Sequence, residues 1–169
     1  MAPPLIGWKD SPIETLHPVE FFYELVKTGK IKIDPKKKLK GPITIQDPCN
    51  LVRLRGRAEM LRYLVNEMCD EIIEMHPNRE HNFCCVAGGG AAAYGPPWKR
   101  NRNLAAWIKA EQIKATGCTE ICAPCHNCYT SINDILKHYD LKGHAMFMDE
   151  LIDKTMEIPE KFKIEEPKA

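Results

Sequence analysis

Five cysteines stand out by type and spacing: Cys49, the vicinal pair Cys84 and Cys85, and the two of Cys122-Ala123-Pro124-Cys125. Soft thiolates drawn from three distant segments suit an iron–sulfur cluster, and five are more than a four-coordinate zinc ion can use. The C-x-x-C spacing brings two thiolates to neighbouring vertices of one metal site, and Pro124 stiffens the turn between them. Neighbouring side chains diverge, so a disulfide between Cys84 and Cys85 would be strained, whereas a multi-iron core offers separate iron atoms to both. Gly88-Gly89-Gly90 follows closely. It lets backbone approach bulky inorganic sulfide and present N–H donors to it.

The remaining residues of this kind have plainer readings beside them. Cys69, next to Met68 and Ile72, reads as a buried small hydrophobe. Cys118 and Cys128 extend the thiols to Cys118-x3-Cys122-x2-Cys125-x2-Cys128, but no cysteine followed by proline completes a ferredoxin run. Both read as neighbours of the site, with a replaceable ligand or redox-active thiol as the alternative. Structural zinc through four of Cys118, Cys122, Cys125, Cys128 and His126 is the rival metal reading, and it leaves the vicinal pair unexplained. A thioredoxin-like C-x-x-C belongs at the helix start after a first strand, and this one comes late. His126 could donate to a substrate thiolate or simply face water in a turn; His76, His81, His138 and His144 have no ligand spacing. Lys99, Arg100 and Arg102 read either as an anion-attracting patch or as an exposed, charged helix start. The glycine run lacks the full phosphate-binding patterns, which argues against nucleotide binding.

The elements that must position these thiols follow from periodicity. Pro3, Pro4, Pro12 and Pro18 make residues 1–18 an extended arm. A helix is predicted from Val19 to Lys27, a strand at Ile43–Gln46, and one long helix from Arg57 to Met75. A second long helix, Asn101 to Thr116, should turn Leu104, Trp107, Ile108 and Ile113 to the core. Then come a strand ending at Ile121-Cys122, a helix from Cys128 to Tyr139, a strand from Ala145 to Met148, and a helix through Leu151, Ile152 and Met156. Strands alternating with amphipathic helices predict an α/β fold with a small, mostly parallel sheet. The domain spans 19–157, and 158–169 is a charged tail. Cys49 and Cys122 then follow directly on strand ends, where open parallel sheets place their ligand crevices.

Composition narrows the class further. A chain of 169 residues can hold one compact domain, and a net charge of +1 gives no broad field for nucleic acid. Lys36, Lys37, Lys38 and Lys40 form one basic block, explained as a solvated loop. Neither a secretory signal nor the roughly 20 apolar residues of a membrane span is present, so a soluble cytoplasmic protein without membrane insertion is expected. In that setting eight cysteines read first as a metal or redox site.

Asp47-Pro48-Cys49, Phe83-Cys84-Cys85 through Gly90, and Cys122-Ala123-Pro124-Cys125 resemble the cysteine-rich CCG domain of the heterodisulfide reductase catalytic-subunit family. The likeness covers about Pro42 to Asp149 and looks most similar to the DsrK- and HmcF-like branch of sulfur-metabolising microbes. The resemblance implies a [4Fe–4S] cluster, non-cubane in well-studied members, held by Cys49, Cys84, Cys85, Cys122 and Cys125. At that cluster a disulfide is reduced or formed, which makes the five cysteines catalytic through it. It also implies partners: a ferredoxin-like chain or segment, a membrane cytochrome b subunit, and a disulfide or thiol substrate or small thiol-carrier protein. The location implied is cytoplasmic, or peripheral at the cytoplasmic face of a membrane complex. An electron relay without substrate contact is the alternative. Two departures from the family pattern stand out: Val86 replaces the usual glycine after the vicinal pair, and one motif occurs where members commonly carry two.

Overall fold

The computed structural model describes residues 15–159; most of the expected arm and nearly all of the expected tail lie outside the described residues. At its centre are four parallel strands, β1 (Leu39–Ile45), β2 (Cys69–Ile72), β3 (Glu120–Cys122) and β4 (His144–Met146), in the order β2-β1-β3-β4. Parallel neighbours need long crossovers, and helices supply them. The crossovers are α2 (Cys49–Arg55) with α3 (Ala58–Met68), α4 (Trp98–Ala105) with α5 (Trp107–Thr116), and α6 (His126–His138); α1 (Pro18–Lys27) precedes the first strand and α7 (Met148–Thr155) follows the last. The protein is α/β, with an all-parallel sheet flanked by helices.

Register decides which side chain faces which layer. Ile45, Cys122 and Met146 form one lateral row, and Thr44, Ile121 and Ala145 form the row before it. Successive residues of a strand point to opposite faces, so the two rows serve different cores. The first row packs with Val19 of α1, Leu61, Leu64 and Met68 of α3, and Leu151 and Ile152 of α7. Ile121 and Ala145 instead meet Ala110 and Ile113 of α5 and Ile132 and Ile135 of α6. The chain runs from β1 outward to β2, then returns past β1 to β3 and on to β4. The order therefore reverses between β1 and β3, and the crevice beyond their C-terminal ends is where such sheets bind ligands.

Local signals account for the ends of several elements. Pro18 opens α1 with its φ already helical. The N–H of His17 donates to Glu20 Oε2 (2.9 Å) and that of Val19 to His17 Nδ1 (3.2 Å), which satisfies two backbone donors of the first turn. Gly56, at φ 63°, closes the short α2.

Three expectations are corrected. The helix predicted from Arg57 to Met75 stops at Met68, and Cys69–Ile72 becomes edge strand β2 on β1, with Ile43 opposite Ile72. The apolar positions of this stretch fit either period, and pairing with β1 decides for the strand. The helix predicted over 101–116 is two helices broken at Ala106, which rotates the apolar face: Leu104 and Trp107 are 46% and 58% exposed, while Ala106, Ala110 and Ile113 are buried. Small residues let α5 approach the sheet closely. Finally, Cys49 does not sit directly on a strand end but opens α2, whereas Cys122 closes β3, as the strand predicted to end at Ile121-Cys122 requires.

Candidate metal centre

A buried ion network fixes the loop after β1. Arg62 of α3 forms two hydrogen bonds to the Asp47 carboxylate, one of them at 2.8 Å, and two to Glu74 at 2.9 and 2.8 Å. The backbone N–H of Arg79 also donates to Asp47 (2.6 Å). The Arg62–Asp47 pair is almost fully buried and its polar atoms are matched, the condition under which a buried pair holds position rather than merely costing desolvation. Pro48 and Cys49 follow immediately. Arg53 of α2 then donates to the carbonyls of Glu80 (2.8 Å) and Asn82, docking the segment that leads into Cys84 and Cys85 beside α2. On its other side this segment is tied to α6, because Ser131 Oγ donates to the Cys85 carbonyl.

The thiols meet at that junction. Cys128 Sγ lies 3.4 Å from Cys85 Sγ and donates to it. The neighbouring Cys125 and Cys85 sulfurs, followed by burial, push the Cys128 thiol up. Cys125 is the N-cap of α6. It closes no regular capping bond, but the Cys128 thiol, then the nearby N–H groups of Cys128 and Asn127 and the His126 charge, bring it down to about 5 against its partial burial. Cys85 is brought down to about 7 by the Cys128 thiol, against burial and the Cys125 charge, with help from the Ala87 N–H and the Lys109 ammonium. Cys84, exposed and bonded by the Val86 N–H at 3.2 Å, is raised by partial burial and by the neighbouring Cys85 and Cys49. Cys85, Cys128 and Cys125 thus form one group of thiols at the switch-point crevice, with Cys84 beside Cys85 and Cys49 near enough for its charge to act on Cys84.

Cys122 is elsewhere. It is fully buried in the row of Ile45 and Met146, facing α1, α3 and α7, and burial pushes its thiol up to about 12. The structure does not bring it to the other thiols, and puts Cys128 there instead. The overlapping spacing Cys122-x2-Cys125-x2-Cys128 permits either pair. The signal that separates them is the strand: alternation through Ile121-Cys122-Ala123 turns Cys122 to the dry face, and Pro124 then ends the strand. Cys69 belongs to that same dry core, as expected, with its thiol pushed up to about 11 by burial. Cys118 lies before β3, at the far end from Cys125, bonded to the Thr116 carbonyl. The zinc set of Cys118, Cys122, Cys125, Cys128 and His126 is therefore not assembled. Among the described residues, no three His, Cys, Asp or Glu side chains surround a point that would hold a single metal ion.

The other candidates resolve by position. Gly88–Gly90 form an exposed turn beside the cysteine pair, with Gly89 and Gly90 at φ 62° and 85°. Val86 also has a positive φ, 60°, strained for a β-branched residue and the conformation that a glycine would adopt freely. Lys99 and Arg102 both close on Asp134 of α6, which explains them as ties between α4 and α6 rather than an anion patch. His126 is exposed, its ring stacked 6.3 Å from that of Phe147. Beside Cys125 opens a cleft of about 490 Å³, walled by Phe22, Pro124, Phe147 and Met148. Sequence reasoning missed Lys109, a fully buried cation of α5 whose charge acts on Cys85, Asp47, Cys128 and Cys84.

A doubly wound α/β domain with a thiol-lined switch-point crevice is the class that fold and site define. The cysteine-rich domain (CCG) profile matches residues 43–133, more than half of the chain. The protein belongs to this cysteine-rich CCG domain family. It is similar to one subunit of the dihydromethanophenazine:CoB–CoM heterodisulfide reductase of Methanosarcina mazei, 31% identical over 136 residues, 78% of this chain and 31% of that one. It is also similar to the Hdr-like menaquinol oxidoreductase iron-sulfur subunit of Archaeoglobus profundus, 39% identical over 80 residues, 46% of this chain and 14% of the relative. A third relative is the EtfAB:quinone oxidoreductase of Syntrophomonas wolfei, 29% identical over 155 residues, 85% and 21% of the two chains. This chain spans less than a third of the length of each. No solved structure matches it. Among the described residues no helix is long and apolar enough to cross a membrane.

Proposed function

We propose that this chain is the iron–sulfur redox domain of a larger oxidoreductase, holding one [4Fe–4S] cluster through thiolates at the switch-point crevice. The observation that carries this reading is the approach of thiols from three separate loops at one rim of the sheet. The donor set fits: the thiols are free of disulfides, and a set spread along the crevice suits a core with separate iron atoms better than one ion. In this reading the ligands come from Cys49, Cys84, Cys85, Cys125 and Cys128. Cys128 takes the place that the family resemblance gives to Cys122, because Cys122 faces the opposite core. Gly88–Gly90 would supply backbone donors to inorganic sulfide.

When bound, the cluster would supply one-electron redox capacity beside the cleft at Cys125. The chain's own part is to admit a thiol or disulfide there between Phe22 and Phe147. Disulfide reduction consumes two electrons and two protons, breaks one S–S bond and yields two thiols. The electrons would arrive from a ferredoxin-like chain or segment; this chain spans only 31% and 21% of two of its relatives. A peripheral place in a cytoplasmic or membrane-associated complex goes with this reading, as does a domain extending over 19–157.

Iron and acid-labile sulfide analysis of anaerobically prepared protein tests the proposal, with about four of each expected per chain; a zinc-only result ends it. The relay alternative is separated by electron paramagnetic resonance of the oxidised protein: a spectrum changed by added disulfide supports substrate contact, and an unchanged one supports relay.

A further inference from the structure

Lys109 differs from the other buried cations. Arg62 and Arg102 each face a carboxylate, whereas Lys109 Nζ, 1% exposed, has as its one hydrogen-bond acceptor among the described residues the Met75 thioether, at 3.7 Å. A thioether is a weak acceptor and brings no charge. Lys109 is flanked by Ala110 and Ile113 of its own helix and by Ala106 at the break before it, all buried. Burial pulls the ammonium down to about 8, against the attraction of Cys85, Asp47, Cys128 and Cys84. Both Asp47 oxygens are already engaged by Arg62 and the Arg79 N–H. Burying a charge without a partner costs several kcal/mol even after relaxation. The negative charge still to be matched on this face is that of the thiolates.

We propose that Lys109 is the built-in counter-charge of the metal centre: an ammonium buried on α5, resting on Met75 in the core cluster that also holds Cys85 and Cys128, that favours the loaded, anionic state and raises its reduction potential. This rests on the iron–sulfur reading above. A reduced centre carries one more negative charge than an oxidised one, so a fixed cation nearby favours reduction. The same cation burdens the iron-free protein, in which its one hydrogen-bond acceptor among the described residues is an uncharged thioether. Lys109 is a positioning residue for charge, and its effects in the two states have opposite sign.

The test compares the full chain with Lys109→Met and Lys109→Arg, each prepared anaerobically, iron-free and after reconstitution with iron and sulfide. Iron-free Lys109→Met should melt above wild type. After loading, its midpoint in a redox titration followed by electron paramagnetic resonance should fall by a tenfold or greater change in the oxidised-to-reduced ratio, about 59 mV for a one-electron couple. Lys109→Arg should restore most of that potential, since it keeps the charge. A Lys109→Met potential equal to wild type overturns the inference while leaving the iron–sulfur reading standing, and so does an iron-free Lys109→Met that melts below wild type. A wild-type chain that takes up no iron overturns both.

Discussion

The two faces of the sheet use cysteine in opposite ways. Toward α1, α3 and α7 the core is aliphatic, and Cys69 and Cys122 pack in it with thiols pushed up by burial. Toward α5 and α6 the core mixes alanines with Ile113, Ile121, Ile132 and Ile135, and the small residues leave room for Cys85, Cys128 and the Lys109 side chain. The difference teaches that a cysteine's chemistry here is set by strand parity and by the loop that carries it. Cys122 and Cys125 are three residues apart and have opposite fates.

The largest effect that could break this contrast is loss of the metal. Cys85→Ser and Cys128→Ser should each abolish iron binding, while Cys122→Ser keeps wild-type iron content; iron and sulfide assays on the purified variants decide it. If Cys122→Ser alone lost the iron, the ligand set would revert to the one given by the family pattern. Next in size is the clamp that serves both faces. Asp47→Asn should lower stability to urea by about 3 kcal/mol, because Arg62 loses its most buried partner, and it should reduce iron content by freeing the loop of Cys49.

A smaller effect belongs to the dry face alone. Cys122→Ser should cost about 1–2 kcal/mol in urea denaturation of iron-free protein, the penalty of a buried hydroxyl without a partner, and the loss should be the same with and without metal. Smallest is the acid response of α1. Glu20, with a carboxyl lowered by the His17 N–H and by Arg57 and Arg55, stabilises the fold above the carboxyl's unfolded pKa, and that contribution disappears as pH falls through its lowered folded value. Glu20→Gln should therefore cost about 0.5–1 kcal/mol at neutral pH and nothing in acid, as read from denaturation midpoints across pH.

Much of this was legible in the residues. Alternating apolar runs and amphipathic stretches were enough for the α/β class, and turn residues marked off the three separate segments that carry Cys49, Cys84 with Cys85, and Cys125. Strand β2 was hidden because Cys69–Ile72 continues the apolar stripe of α3 without a break, and only pairing with β1 shows that the backbone has changed form. The choice between Cys122 and Cys128 was hidden by two overlapping C-x-x-C spacings, since side-chain parity depends on where a three-residue strand ends. Lys109 was out of reach for a different reason. On a helical wheel it is an ordinary surface lysine, and its burial comes from the break at Ala106 and from loops some twenty-five to thirty-five residues earlier in the chain.

From Ile73 to Pro97 the backbone has no strand or α-helix, only two short 3₁₀ turns, yet it carries the vicinal cysteines. A metal that bridges this stretch to α2 and α6 would act as a rivet driven late in assembly. Without it the stretch should open by itself and be nicked first by proteases, ahead of the sheet; with it, the same residues should exchange their amide hydrogens only when the whole domain unfolds.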